Sequence, residues 1–188
     1  MNIIVSVDKN GGIGRDGELL VRIKRDMKRF RELTLGGVVI MGRKTFMSLP
    51  NASPLKDRVN IVLTRGGFSA EGVLTAHSVE ELFSLLERYH DREHWVIGGE
   101  SVYKQLLPYC DRAYITRICG EYAADAFFSE FANGAASKDA ASEDAASEDA
   151  ASEDAAPKGW RQVYRSRLFM QGETPFFFEN YRRSERDV

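Results

Sequence analysis

Asp26 lies on a helix face that should be burying apolar side chains. In Ile23-Lys24-Arg25-Asp26-Met27-Lys28-Arg29-Phe30-Arg31-Glu32-Leu33 the apolar residues fall at 23, 27, 30 and 33. That spacing marks one stripe of an amphipathic helix. Asp26 is three after Ile23 and four before Phe30, so it projects along the stripe. The cations of Lys24–Arg31 are expected to point elsewhere, as the solvated face. A carboxylate on a buried face is costly unless it is paired, hydrogen-bonded or protonated. A first-turn Asp also interacts well with the helix dipole and free amides, so Asp26 alone does not decide between structure and chemistry.

Three strand ends carry chemistry suited to anions. Val38-Val39-Ile40-Met41-Gly42-Arg43-Lys44-Thr45 runs from strand through glycine into two cations and a hydroxyl at a helix start. Backbone amides, Arg43 and Thr45 can together hold a pyrophosphate. His94-Trp95-Val96-Ile97-Gly98-Gly99-Glu100-Ser101 repeats the plan with paired glycines, which let a ligand approach the backbone closely. Val62-Leu63-Thr64-Arg65 ends a third strand with a cation fit for an isolated phosphate. Ligands gather at the carboxyl ends of strands in open α/β sheets. Three such junctions together point to a dinucleotide with an extra phosphate. A fourth stretch, Gly11-Gly12-Ile13-Gly14-Arg15-Asp16-Gly17, is too loose for a dinucleotide fingerprint. It reads as a mobile lid or as a plain connection.

Those junctions need a sheet to carry them. Strands are expected at Ile3–Val7, Gly37–Met41, Val59–Thr64, Val73–Ala76, Trp95–Ile97, Ala113–Ile118, Arg161–Phe169 and Pro175–Tyr181. Helices are expected at Lys24–Thr34, Arg43–Leu49, Val79–Tyr89 and Ser101–Leu107. The alternation predicts an α/β fold with a mostly parallel central sheet of about eight strands and helices on both faces. The last two strands have no helix between them and read as an antiparallel addition at one edge. The length of 188 residues fits one domain with a proper core, and 43% hydrophobic residues can fill it. Cys110 and Cys119 show no metal spacing, and His77, His90 and His94 are scattered, so no zinc site or disulfide framework is expected. The first residues turn acidic too early for a signal peptide, and no apolar run approaches a membrane span. The chain is therefore expected in the cytoplasm.

Residues 135–154 stand outside the pattern. They are four pentamers, Ala-Ala-Ser-Lys-Asp once and Ala-Ala-Ser-Glu-Asp three times. A period of five matches neither helix nor strand, so no face can be buried. The stretch 133–157 is expected to be an acidic surface loop, poorly ordered or disordered, inserted into a single domain. The tract carries seven acids and one lysine against a whole-chain charge of −2. The body is thus mildly basic, which suits an anionic ligand but is too weak to argue for nucleic acid.

These pieces, in this order, resemble dihydrofolate reductase. The matching segments are Gly12-Ile13-Gly14, Asp26-Met27-Lys28-Arg29-Phe30, Met41-Gly42-Arg43-Lys44-Thr45 and Pro54-Leu55-Lys56-Asp57-Arg58-Val59-Asn60-Ile61-Val62-Leu63-Thr64. They continue with Val96-Ile97-Gly98-Gly99 and Tyr103, Tyr114-Ile115-Thr116, and Asp125 with Phe127-Phe128. The resemblance covers the chain except the acidic repeats. It implies NADPH-dependent reduction of 7,8-dihydrofolate, by hydride transfer to pterin C6 with protonation of N5. Asp26 would bind the pterin 2-amino group and N3 and support protonation at N5, with Thr116 in its network. Ile4, Val5, Met27, Phe30, Leu55 and Ile97 would border the substrate, and Arg58 would pair with the glutamate α-carboxylate.

The same resemblance places Gly42, Arg43, Lys44 and Thr45 on the NADPH phosphates. It places Leu63, Thr64, Arg65 and, more weakly, His77 around the adenosine 2′-phosphate. Gly98-Gly99 would form a cis turn under the cofactor, with Ser101 and Val102 beside it. Ser6, Ile13, Gly14 and Tyr103 would border the nicotinamide, with Ile97 between the two ligands. The lid departs from the family pattern at Leu19, Leu20 and Val21: the common Pro-Trp is replaced by Leu20-Val21 and a later proline by Lys24. Ser101 stands where some members carry a cation. Altered lid motion and weaker cofactor binding are expected, with function retained. Other readings keep the fold with another heterocycle, as in the pyrimidine reductases of riboflavin synthesis, or make the chain a non-catalytic nucleotide binder. The expected assembly is a monomer with no nucleic-acid, membrane or metal partner.

Overall fold

The computed structural model describes residues 1–132 and 156–184. In chain order the elements are β1 (Asn2–Val7), β2 (Gly12–Arg15), β3 (Glu18–Leu19), α1 (Lys24–Thr34), β4 (Val38–Gly42), α2 (Arg43–Met47), β5 (Val59–Leu63) and β6 (Val73–Ala76). They continue with α3 (Val79–Leu86), β7 (His94–Gly98), α4 (Glu100–Leu106), β8 (Arg112–Ile118), β9 (Ala126–Phe127), β10 (Trp160–Arg165), β11 (Phe169–Gln171) and β12 (Thr174–Arg183). The main sheet runs β10-β12-β8-β1-β7-β4-β5-β6, with β11 also paired to β12. From β8 to β6 every neighbour is parallel. The near-continuous apolar runs of β1 and β4 follow from that, because their residues meet helices or packed side chains on both faces.

One face packs Ile3, Val5, Val38, Ile40 and Val96 against Leu82 and Leu86 of α3 and Val102, Tyr103 and Leu106 of α4. The other packs Ile4, Val39, Met41, Val62 and Trp95 with Phe46 of α2 and Phe30 and Leu33 of α1. The antiparallel addition is present, with β12 against β8 and β10 outermost. The single strand expected over Arg161–Phe169 is broken after Arg165. There the Ser166 hydroxyl takes the place of a backbone acceptor, receiving the Phe178 amide at 2.9 Å, and the ladder slips before Phe169.

The glycine-rich stretch expected as a loop is stranded instead. β2 pairs with β3 and with β9 in a second, three-stranded sheet. Asp8, fully buried, accepts from the amides of Asn10, Gly12 and Tyr122 at 2.9, 2.7 and 3.0 Å and so ties both flanks of this sheet together. Glycine is needed for closeness: a Cβ on Gly14 would lie 2.7 Å from the Glu18 carbonyl oxygen, and one on Gly12 2.8 Å from the Ala124 Cβ.

The acidic pentamers lie outside the described residues, as does 133–155 of the expected insert. Ala156 packs on the core, and the Pro157 carbonyl accepts from the Trp160 amide at 2.9 Å. The residues flanking the tract meet, since the rings of Phe131 and Trp160 are 5.4 Å apart.

Candidate active site

Asp26 is placed by the start of α1. Its N-cap residue, Ile23, has no side-chain group to receive the first amides. Gln171 of β11 substitutes from 147 positions away, accepting from the Lys24 amide at 2.6 Å and donating to the Arg22 carbonyl at 2.6 Å. Gln171→Ala removes both bonds and should cost about 1 kcal/mol, a fall of about 2–4 °C in Tm for a chain of this size. Thermal unfolding monitored by circular dichroism checks it, and an unchanged Tm would show that solvent replaces the clasp without loss.

The Asp26 carboxylate is buried, and the Thr116 hydroxyl of β8 donates to its Oδ1 at 2.5 Å. Burial pushes the carboxyl above the ordinary carboxylate range, while the Thr116 hydrogen bond and the charge of Arg29 pull it back. Here the structure corrects an expectation about α1, because not all of its cations are solvated. Arg29 turns inward, with its guanidinium carbon 4.4 Å from the Phe178 ring centre and Nη2 donating to Asn180 Oδ1 at 2.6 Å.

Phe30, Leu55 and Ile97 gather on the Ile4–Met41–Phe46 cluster and make an apolar wall, which Phe30, one helical turn after Asp26 on α1, joins to the face that carries the acid. Thr34 accepts from Arg58 Nη1 at 3.1 Å, and the Lys56 carbonyl accepts from Arg58 Nε at 2.9 Å. Asn60, which sequence reasoning did not single out, grips the same loop through the Leu55 amide and the Leu55 and Arg58 carbonyls. Burial and then the neighbouring Arg31 charge push the Arg58 guanidinium below its usual value, with Asp57 opposing. Arginine stays charged regardless, so two crowded cations at the end of the wall favour an anionic group. Two expected wall residues differ. Met27 is 40% exposed, and Val5 points into the core on the α3–α4 face, so only its backbone borders the site.

The first two glycine junctions converge. Gly98-Gly99 is a cis peptide, and a Cβ on Gly99 would lie 3.2 Å from Thr45 Oγ1. A Cβ on Gly42 would meet Val102 Cγ2 at 3.2 Å with the Gly99 nitrogen at 3.8 Å. Tyr103, buried beneath Gly98, donates to the Ile4 carbonyl at 2.8 Å. Burial pushes its phenol far upward, so it stays neutral. Ser6 Oγ, at the same end of β1, is buried without a partner among the described residues. Arg43 and Lys44 are exposed, as is Ser101. The third junction follows on β5, beside β4, where the Thr64 carbonyl oxygen lies 3.0 Å from His77 Nδ1 and Arg65 is exposed. Leu63 and Val102 are buried, as parts of the α3–α4 core, and Ile13 packs at its border. In the lid, Leu19 is exposed, Leu20 lies within 3.1 Å of where a Gly12 Cβ would stand, and Val21 packs with Ile23, Ile118 and Phe178. The Asp16 amide donates to Asp125 Oδ2 at 2.9 Å, which ties the hairpin tip to the segment before β9.

The described residues hold no cluster of His, Cys, Asp or Glu able to bind a metal ion. Besides the inward Arg29, sequence reasoning missed Asp8, Asn60 and Gln171 as supports. Asp8 at a strand end before a glycine run was a local signal, but Gln171 offered none.

The dihydrofolate reductase family profile matches residues 1–156. The dihydrofolate reductase of Staphylococcus haemolyticus is 38% identical over 129 residues, covering 68% of this chain and 75% of the relative. That of Mycobacterium leprae (strain TN) is 43% identical over 120 residues, covering 63% and 72%. A solved dihydrofolate reductase from Enterococcus faecalis, in complex with NADP(H) and RAB-propyl, superposes with a TM-score of 0.73 at 29% identity, covering 98% of this chain and 96% of that one. The sheet order, the buried carboxylate and these relatives agree: the chain belongs to the dihydrofolate reductase family.

Proposed function

We propose that this protein reduces 7,8-dihydrofolate to 5,6,7,8-tetrahydrofolate with NADPH. The observation that carries the reading is Asp26, a buried acid with a Thr116 hydroxyl on one oxygen, set against an apolar wall that ends at Arg58. A flat heterocycle with an amino group beside a ring nitrogen fits the carboxylate, and an anionic tail fits Arg58. The residues also fit the cofactor. Ser6 Oγ is an unmet buried donor at the end of β1, and the Gly98-Gly99 turn is packed so closely on Tyr103 and Thr45 that a Cβ at either glycine would crowd them at 3.2 Å, which leaves the bare backbone to face a ligand.

NADPH, when bound, supplies the hydride for pterin C6. Asp26 holds the pterin through its 2-amino group and N3 and supports protonation at N5, with Thr116 fixing the carboxylate rotamer. Ile4, Val5 (by backbone), Phe30, Leu55 and Ile97 keep water from the ring, and Met27 closes the mouth. Gly42, Arg43, Lys44, Thr45, Ser101 and Val102 hold the pyrophosphate side of the cofactor. Thr64, Arg65 and His77 would read the 2′-phosphate, with Leu63 packed in the core beneath them, and Ser6, Ile13, Gly14, Gly98, Gly99 and Tyr103 would frame the nicotinamide. Leu19, Leu20 and Val21 form the lid.

The chain is read as one reductase domain with 133–157 as an acidic insertion, which the contact between Phe131 and Trp160 supports. It is read as a cytoplasmic monomer without nucleic-acid or membrane partners. Among the described residues no helix is long and apolar enough to cross a membrane.

The test is NADPH consumption in the presence of 7,8-dihydrofolate. Turnover establishes the reductase, and NADPH binding without turnover refutes it. Arg58→Met should raise KM for dihydrofolate about 10–100-fold with little change in kcat, since a charge-assisted pair contributes about 1.5–3 kcal/mol. A fall confined to kcat would place Arg58 elsewhere in the cycle.

A further inference from the structure

Arg29 follows Asp26 by three positions, so the two share a helix flank. Its guanidinium is wedged between the Phe178 ring at 4.4 Å and the Tyr114 ring at 5.7 Å, and Asn180 holds Nη2. Nη1 is buried with no partner among the described residues, and no carboxylate among them lies within ion-pair distance of the group. A half-buried cation without a counter-ion is screened less than an exposed one, and the partly desolvated path to a nearby carboxylate screens it weakly. Asp26 is that carboxylate.

We infer that Arg29 is a positioning residue for the reaction, whose half-buried charge, outside any ion pair among the described residues, favours the ionised form of Asp26 that receives the pterin against the pull of burial. The inference rests on Asp26 being the site acid. The other groups facing the pair are accounted for. Thr116 from β8 is neutral, Tyr103 from α4 is held neutral by burial, and Tyr114 from β8 and Tyr164 from β10 are phenols beside Arg29. Arg25 and Arg167 are turned onto the Phe169 ring, which neighbours Phe178 on the side of β11. Among the described residues, Arg29 is thus the charged group that acts on Asp26. Its own desolvation is borne by the two rings and Asn180, an arrangement that suits guanidinium and not ammonium.

The test titrates the Asp26 side-chain carbonyl by NMR in the full chain, its signal being assigned by its loss in Asp26→Asn. Arg29→Met should move the midpoint upward, and Arg29→Lys, which keeps a cation but on a shorter side chain without the guanidinium fork, should bring it part of the way back. The acid limb of the kcat/KM profile should move in the same direction. Asn180→Ala, which frees the guanidinium from its anchor, should raise the midpoint less and serves if Arg29→Met does not fold. A folded Arg29→Met with an unmoved Asp26 midpoint, or Asn180→Ala with none, overturns the inference and leaves Arg29 as packing alone. Because the titration needs no turnover, its result is separate from that of the reductase assay.

Discussion

Asp26→Asn should reduce dihydrofolate turnover about 10²–10⁴-fold near neutral pH, the usual worth of a positioned acid or base, and should recover part of the loss in acid. Recovery is expected because the substrate can then arrive already protonated from solution, which asks less of residue 26. The same substitution should stabilise the fold, since the native carboxyl is raised by burial. A raised acid means that the ionised form weakens the native state above the unfolded carboxyl value of about 3.9. The Asn variant avoids that penalty. Its Tm should exceed the parent's at pH 7, and the gap should close as pH falls through the native midpoint and vanish below the unfolded value of about 3.9, where the carboxyl is protonated in both states. Steady-state assays and thermal unfolding across pH measure both effects on one pair of proteins. A variant that is slower and also less stable at pH 7 would mean that Asp26 holds the structure together rather than serving as the site acid.

The second large effect lies on the opposite face of β8 and β12. Arg117 and Glu179 are both 3% exposed and joined at 3.0 Å. A second contact from Arg117 Nε spans 3.2 Å, and Gln162 donates to the other Glu179 oxygen at 2.9 Å. Arg117 also donates through Nη1 to the Phe131 carbonyl, beside the point where the acidic tract departs. Glu179→Ala strands a buried guanidinium, which costs about 3–5 kcal/mol, a large part of the roughly 5–15 kcal/mol that a domain commands. The Tm should fall by roughly 6–20 °C, while kcat below the transition stays near the parent's because Thr116 and Asp26 face the other way. Replacing both partners together, Arg117→Met with Glu179→Leu, should cost much less, since no charge is left unpaired. Equal losses in the single and double variants would move the cause from charge to packing.

The two networks separate what is readable in the chain from what is not. The α1 stripe, the parallel sheet and the three strand-end junctions rest on local periodicity and punctuation, and the structure has them where the residues put them, except that Met27 of the stripe turns outward. The inward face of α1 can be read from Ile23, Phe30 and Leu33, which is why Asp26 stands out. Arg29 sits three positions after Asp26, so the same period allows it on that flank. Nothing local says that Phe178 and Asn180 will arrive there and close over it. The hairpin of β2 and β3 reads as a mobile loop in sequence because its pairing depends on Asp8 and on β9, whose two residues are too few to register as a strand. Gln171 caps α1 across 147 positions and can only be found in space.

Periodicity along the chain therefore decided which residues form helices and strands and which carboxylate needed a partner. Only the packing of the C-terminal hairpin on α1 decided which cation shares that buried face. Side-chain period is a property of one element, whereas desolvation of a charge depends on what a second, sequence-distant element lays over it.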